Sequence, residues 1–198
     1  MANKVFEKQF ENYTFTVFDD RPDFPVHEVN QVHGCDVVDA SDDIQSADGL
    51  VANLEFNKPL AIKTADCLPI AIFGKNGVSM VHAGWRGVAS KIILNQRIKD
   101  IEPELFIIGP HIQEDVYEVS EEFTENFQNS DSFSKKDGKI YFSLFKEISK
   151  QILTSYPDAF IFDCALCTFK DDKFHSYRLN KTTKRNWNVL LKNNMGEK

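Results

Sequence analysis

The chain has 198 residues, 42% of them hydrophobic and 27% charged, with a formal net charge of -7 at pH 7. That length buries a sizeable core without disulfide or metal staples, and an acidic balance with no basic stripe argues against a protein that binds nucleic acid by neutralising phosphates. No apolar run approaches the roughly 18 residues of a membrane span, and residues 1–8 lack the apolar core of a signal peptide. The expectation is a cytoplasmic protein of one domain, bound to neither membrane nor nucleic acid, in which Cys35, Cys67, Cys164 and Cys167 form no disulfide framework.

Phe6 to Asp19 alternates loosely between apolar and polar residues and predicts one or two strands. Arg21-Pro22-Asp23-Phe24-Pro25 is a break, because proline stiffens the backbone and removes a donor. Val26 to Val38 reads as a strand carrying Gln31 and His33, and Asp39 to Asp48 as a polar loop. Gly49 to Asn53, Pro59 to Ile62 and Leu68 to Phe73 are short apolar runs, the last two separated by Thr64-Ala65-Asp66-Cys67. Asn76-Gly77 predicts a hairpin turn, with Val78 to His82 as the returning strand. Such a hairpin brings Cys67 and His82 to the same end of adjacent strands. Gly84 to Gly87 then opens a helix, in which Val88, Ile92, Ile93 and Ile98 recur at roughly helical spacing up to Asp100.

Glu104 to Gly109 reads as a buried strand. Val119 to Phe127 and Phe142 to Tyr156 are helical candidates, the second with the stripe Phe142, Phe145, Ile148, Ile152 and Leu153, and Ser130 to Gly138 is a charged loop between them. Ala159 to Phe169, Phe174 to Tyr177 and Trp187 to Leu191 read as strands, with a tail that frays from Asn193. Strands and helices interleaved irregularly, with several hairpins, predict an α+β fold.

Reactive residue types collect in Gly-flanked stretches: Gln31-Val32-His33-Gly34, Thr64-Ala65-Asp66-Cys67-Leu68-Pro69 and His82-Ala83-Gly84-Trp85-Arg86-Gly87. Cys67, His33 and His82 offer one thiolate and two imidazole nitrogens, a donor set that zinc accepts with a fourth position left open. Cys67 and His82 also have the residue types of a nucleophile and its base, and a Cys on an apolar strand is commonly just a small hydrophobe. Spacing does not choose among these. Asp66 is either a turn acceptor or a carboxylate that orients a ligand histidine. Arg86, beside a helix start, suits phosphate, or forms an ion pair with Asp66 or Glu118. Trp85 reads as packing. His111 is either an extra acid–base group near the site or inert, and Arg178 either a binding residue or a tie for the last strand. Cys164 and Cys167 have Cys-x-x-Cys spacing but no second pair, which argues against a structural zinc site. Five histidines are too few for a multicopper centre, so copper is less expected than zinc.

These motifs resemble the YfiH family, also called the laccase-domain or multicopper polyphenol oxidoreductase family. Weaker matches follow in the same order: Gly109-Pro110-His111-Ile112, Tyr117-Glu118-Val119, and Ser176-Tyr177-Arg178 with Lys181-Thr182-Thr183. The resemblance runs from about Val29 to the C-terminus. It implies layers of helix, sheet, sheet and helix with mixed, largely antiparallel sheets. It also implies a zinc-dependent purine nucleoside phosphorylase acting on adenosine, inosine, guanosine or methylthioadenosine, and able to deaminate adenosine. By the same resemblance His33, Cys67 and His82 hold the zinc, Cys67, Asp66 and Arg86 are catalytic, and Arg86, Arg178 and His111 face nucleoside and phosphate. Some members are linked to peptidoglycan quality control, so the alternative is a metal-independent Cys–His hydrolase acting on an amide such as a peptidoglycan precursor. The chain departs from the family before its first histidine motif. Arg21 is the only arginine upstream of His33 and no glycine precedes Gly34, where relatives carry Arg-Gly-Gly and Ser-Leu-Asn segments. The expectation is thus one domain over 1–198 with a shortened N-terminal region, a departure that bears on phosphorolysis rather than on zinc.

Overall fold

The computed structural model describes residues 1–10, 12–43 and 45–193. The alternating N-terminal residues form a hairpin of β1 (Lys4–Phe10) and β2 (Tyr13–Phe18). β2 pairs antiparallel with β14 (Asn186–Lys192), β14 with β6 (Leu60–Thr64), and the short β3 (His27–Glu28) adds parallel to β6. This five-stranded sheet has the order β1-β2-β14-β6-β3. A six-stranded sheet runs β13 (Phe160–Asp163), β9 (Pro103–Ile108), β7 (Leu68–Gly74), β8 (Gly77–Ala83), β5 (Gly49–Asn53) and β4 (Val37–Asp39). Its inner pairs are antiparallel, and β13–β9 and β4–β5 are parallel. A small antiparallel sheet joins β10 (Glu118–Val119), β12 (Lys139–Phe142) and β11 (Phe133–Lys136). The fold is α+β with mostly antiparallel sheets.

Side-chain alternation divides the core. Ala71, Met80 and Ile107 of the six-stranded sheet meet Phe15, Ile62 and Leu190 of the five-stranded one in a layer between the sheets. Their neighbours Ile70, Ile72, Val81, Phe106 and Ile108 point the other way, onto Val88, Ile92, Ile98, Ile148 and Ile152. Ile148 and Ile152 belong to α3 (Leu144–Ser155), whose N-cap Ser143 accepts from the Lys146 amide. On the outer face of the five-stranded sheet, Ala61, Trp187 and Val189 pack against Phe24 and Val26.

The hairpin bearing the central motifs forms, but its turn is Lys75-Asn76, one residue before the predicted Asn76-Gly77, and Gly77 opens the returning strand. Glycine flanks that turn because backbone presses on both positions: a Cβ at Gly74 would stand 2.0 Å from the Ile101 carbonyl oxygen, and one at Gly77 2.3 Å from that of Ala52. The apolar residues after Gly84 are buried as their spacing predicts, but the helix is broken. α1 (Trp85–Ala89) ends before Lys91, which is left-handed at φ 56°; a 3-10 turn follows at Ile92–Leu94, and Asn95 caps α2 (Gln96–Asp100).

Other differences have local causes. The stretch Val26 to Val38 is not one strand, and Gln31 and His33 lie on a loop between β3 and β4. The Gln31 amide replaces a strand there, donating to the Lys63 carbonyl and accepting from the Lys63 amide, each at 2.7 Å. Val119 to Phe127 forms β10 and a 3-10 segment at Glu122–Phe127 rather than an α-helix, because Val119 is taken into the ladder by Ile140. The charged loop contains β11, joined to β12 through Asp137 and Gly138 at φ 50° and 75°; this Asp-Gly pair is a two-residue hairpin signal. β13 stops at Asp163, whose carboxylate accepts from the Ala165 amide. Phe174 to Tyr177 is not a strand, since Ser176 caps α4 (Tyr177–Asn180). Residues 194–198 of the frayed tail lie outside the described residues.

Candidate metal centre

The β7–β8 register sets Leu68 opposite Ala83 and Pro69 opposite His82. Cys67, one residue before β7, therefore emerges at the same edge as His82. His33 comes in from the loop, left-handed at φ 60°. The sulfur and one nitrogen from each ring lie within 4.8 Å of one another, and the two rings stand at 88° with centroids 4.8 Å apart. Two imidazoles and a thiol gathered this closely suit a divalent metal of zinc's character. Gly84 keeps the neighbourhood open, because a Cβ there would stand 3.1 Å from Cys67 Sγ and 3.7 Å from atoms of both rings.

Asp48 holds this arrangement and was hidden in the predicted polar loop. It is 0% exposed. Its carboxylate accepts from His82 Nδ1–H at 2.7 Å and from the amides of Val32, His33 and Gly34 at 3.3, 3.0 and 2.6 Å. One side chain thus orients the His82 ring by holding Nδ1, and also fixes the backbone that presents His33. Burial works against the Asp48 charge, but the bonds from His82, Gly34 and His33 outweigh it and hold the carboxyl below its ordinary range. Burial likewise opposes charge on His82, yet the Asp48 hydrogen bond and the nearby Cys67 sulfur lift its pKa to about 9. His33 is held low, first by burial and then by the charges of His82, Arg86 and Arg185, against the pull of Asp48.

Asp66 does not orient a histidine. Its carboxylate accepts from Thr168 Oγ1 and from the Arg178 amide, each at 2.7 Å, so it ties the C-terminal segment to the strand end. A cavity of about 140 Å³ opens beside Cys67, lined by Trp85, Ile112, Tyr117, Leu144, Tyr177 and Arg178 among others. Arg178 stacks its guanidinium 5.0 Å above the Tyr117 ring and donates to the Glu118 carbonyl at 2.6 Å. Arg86 is exposed and stacks on Trp85 at 4.4 Å; among the described residues it forms no ion pair, and the only arginine–carboxylate pair is Arg21–Glu28.

His111 does not line that cavity. It is 1% exposed, its Nδ1–H donates to the Gly109 carbonyl at 2.9 Å, and its Nε2 accepts from Gln113 at 3.0 Å. Burial, partly offset by the Gly109 carbonyl, holds its pKa below the ordinary histidine value. The unfolded imidazole takes its proton near pH 6.5 and the folded one only at lower pH. Stability is therefore intact above about pH 6.5 and falls as the pH drops toward the folded pKa. Denaturant midpoints at pH 7.5 and 5.5 should show a larger loss for the wild type than for His111→Gln; equal losses would refute this. All four cysteines are free, and burial pushes the Cys164 thiol up to about 12, which leaves it unreactive.

Residues 15–192 match the family described as multi-copper polyphenol oxidoreductase laccase. A protein of Aquifex aeolicus (strain VF5) named purine nucleoside phosphorylase is 32% identical over 143 residues, covering 70% of this chain and 67% of that protein. Purine nucleoside phosphorylase YfiH of Shigella flexneri is 32% identical over 171 residues, covering 79% and 70%. The crystal structure of the Neisseria meningitidis protein NMB0706 matches with a TM-score of 0.79 at 21% identity, over 97% of this chain and 99% of that one, a likeness of fold. No helix among the described residues is long and apolar enough to cross a membrane.

Proposed function

The chain belongs to the multi-copper polyphenol oxidoreductase laccase family, and from that premise we propose that it is a zinc-dependent purine nucleoside phosphorylase that also deaminates adenosine. The observation that carries this reading is the convergence of His33, Cys67 and His82 beside an aromatic-lined cavity. These three residues would hold the zinc, with Asp48 orienting two of them. Bound zinc supplies a Lewis acid at the open position. Adenosine, inosine, guanosine and methylthioadenosine are the candidate nucleosides, since they share a flat purine.

The cavity's roughly 140 Å³ is well below the 300–1,000 Å³ typical of a pocket that encloses a whole ligand. The base would enter between Trp85, Tyr117 and Tyr177, whose rings offer stacking surfaces, while the ribose stays over the donors. Arg178 would meet the substrate's polar edge, with one of its five donors already spent on Glu118. Asp66 would act by holding α4, and with it Tyr177 and Arg178, against the strand end. Arg86, on the exposed side, would offset the charge of phosphate.

The test is metal content of the purified protein, with adenosine and inosine assayed with and without phosphate. About one zinc per chain, phosphate-dependent release of base and ammonia from adenosine are expected. The nearness of the Cys67 sulfur to His82 favours one second reading, the Cys–His hydrolase. Full nucleoside turnover in metal-stripped protein would end the first reading, and amide hydrolysis by that protein, lost on alkylation of Cys67, would establish the second.

A further inference from the structure

We infer that Arg185, together with Arg86, forms an anion-binding corner on the His33 side of the metal donors, and that inorganic phosphate is the anion it takes. The inference rests on the phosphorolysis reading and adds a residue that none of the motifs singled out.

Strand register places Arg185 there. Asn186 stands opposite Thr64 in the β14–β6 pair, so Arg185, one step beyond, faces the Ala65 position, two residues before Cys67. On the other side of β6, Gln31 is bonded to both backbone groups of Lys63, and His33 follows two residues later. Arg185 and the His33 loop therefore flank the same strand end. Arg185 lies one strand spacing from β6 on one side, and the side-chain amide of Gln31 holds the His33 loop against the other. Arg86 reaches the same place from the start of α1, which lies against the His33 loop: a Cβ at the next residue, Gly87, would stand 3.0 Å from the Gly34 carbonyl oxygen.

The corner has no internal counter-charge. Arg185 is half-buried, and its Nη1 donates to the carbonyls of Thr182 and Lys184 at 3.1 and 2.8 Å. Those bonds hold one arm of the guanidinium and leave its other donors for a ligand. Among the described residues, neither Arg185 nor Arg86 pairs with a carboxylate. The two acids next to the donors are already committed, Asp48 to His82 and three amides, Asp66 to Thr168 and Arg178. A chain of net charge -7 thus keeps two uncompensated arginines beside its metal donors. The planar guanidinium fork matches a phosphate edge and binds it with charge-assisted hydrogen bonds. The base cavity lies on the Cys67 side and is too small for more than the base, so phosphate and base would meet the ribose from opposite sides.

The experiment measures inorganic phosphate binding to the metal-loaded protein by calorimetry, and KM for phosphate and for inosine, in wild type, Arg185→Ala, Arg185→Lys and Arg86→Ala. Thermal unfolding and metal content are recorded on each. Arg185→Ala should weaken phosphate binding, and raise KM for phosphate, by roughly tenfold or more. Metal content and KM for inosine should stay within about twofold, and Arg185→Lys should recover part of the loss. Arg86→Ala, at an exposed side chain with no ion pair, gives the same readout if Arg185→Ala does not fold. Wild-type phosphate affinity in both alanine variants would overturn the inference, as would a wild type that binds no phosphate. The two ideas fail separately. Phosphate bound through Arg185 without base release sinks phosphorolysis and leaves the corner standing; phosphorolysis with unchanged KM for phosphate in both variants sinks the corner alone.

Discussion

Replacing Cys67 with alanine is expected to bring zinc from about one per chain to background and to lower phosphorolysis roughly a thousandfold or more. The magnitude follows from the several kcal/mol that a bound Lewis acid supplies, at about 1.4 kcal/mol for each factor of ten. The fold should survive, because Cys67 is only half-buried at a strand end, and its truncation should cost about 1 kcal/mol. Circular dichroism and a denaturant melt check that point. A metal-free Cys67→Ala protein with wild-type turnover would refute the zinc reading. An inactive variant beside a fully active, metal-stripped wild type would instead assign Cys67 as a nucleophile.

The second large effect belongs to Asp48. Asp48→Ala leaves His82 Nδ1–H and three backbone amides without their acceptor in the interior. Losing the partner of a buried, charge-assisted network costs about 3–5 kcal/mol, which is a large share of the stability of an ordinary domain. Asp48→Asn is the gentler probe, since it keeps one oxygen but turns an amide group toward donors. Zinc affinity, measured against a competing chelator, should fall about 10–100-fold in Asp48→Asn. In a cobalt-substituted protein the ligand-field spectrum should change with it. If Asp48→Asn binds zinc as tightly as wild type, the carboxylate is not what positions the two histidines.

Much of the site was legible in the sequence because it depends on local signals. Asn76-Gly77 and the apolar runs around it place Cys67 and His82 at one edge, and the pairing of Pro69 with His82 agrees. The spacing of Phe145, Ile148 and Ile152 marks α3, though Phe142 at the head of the expected stripe belongs to β12 and Leu153 is exposed, and the run from Trp187 to Leu191 marks β14. The errors lie where a distant side chain takes over backbone groups that propensity assigns to a ladder. Asp48 claims the amides of residues 32–34, and Gln31 pairs with Lys63, so the expected strand becomes a loop. Asp48 itself gave one faint signal, an acid immediately before a buried strand at Gly49. The apolar spacing after Gly84 marks which residues are buried, yet cannot see the left-handed turn at Lys91 that breaks the helix.

By itself, the sequence determined the α+β class, the β7–β8 hairpin and the family motifs, because turn chemistry and side-chain periodicity act over a few residues. Tertiary structure decided which acid serves the histidines. Asp66 is adjacent to Cys67 in the chain but is consumed by Thr168 and Arg178, more than 100 residues away, whereas Asp48 reaches His82 across 34 residues. It also decided the place of Arg185, which depends on the register of β14 against β6. Long-range pairing of this kind is set by how whole sheets pack, and no stretch of a few residues carries it.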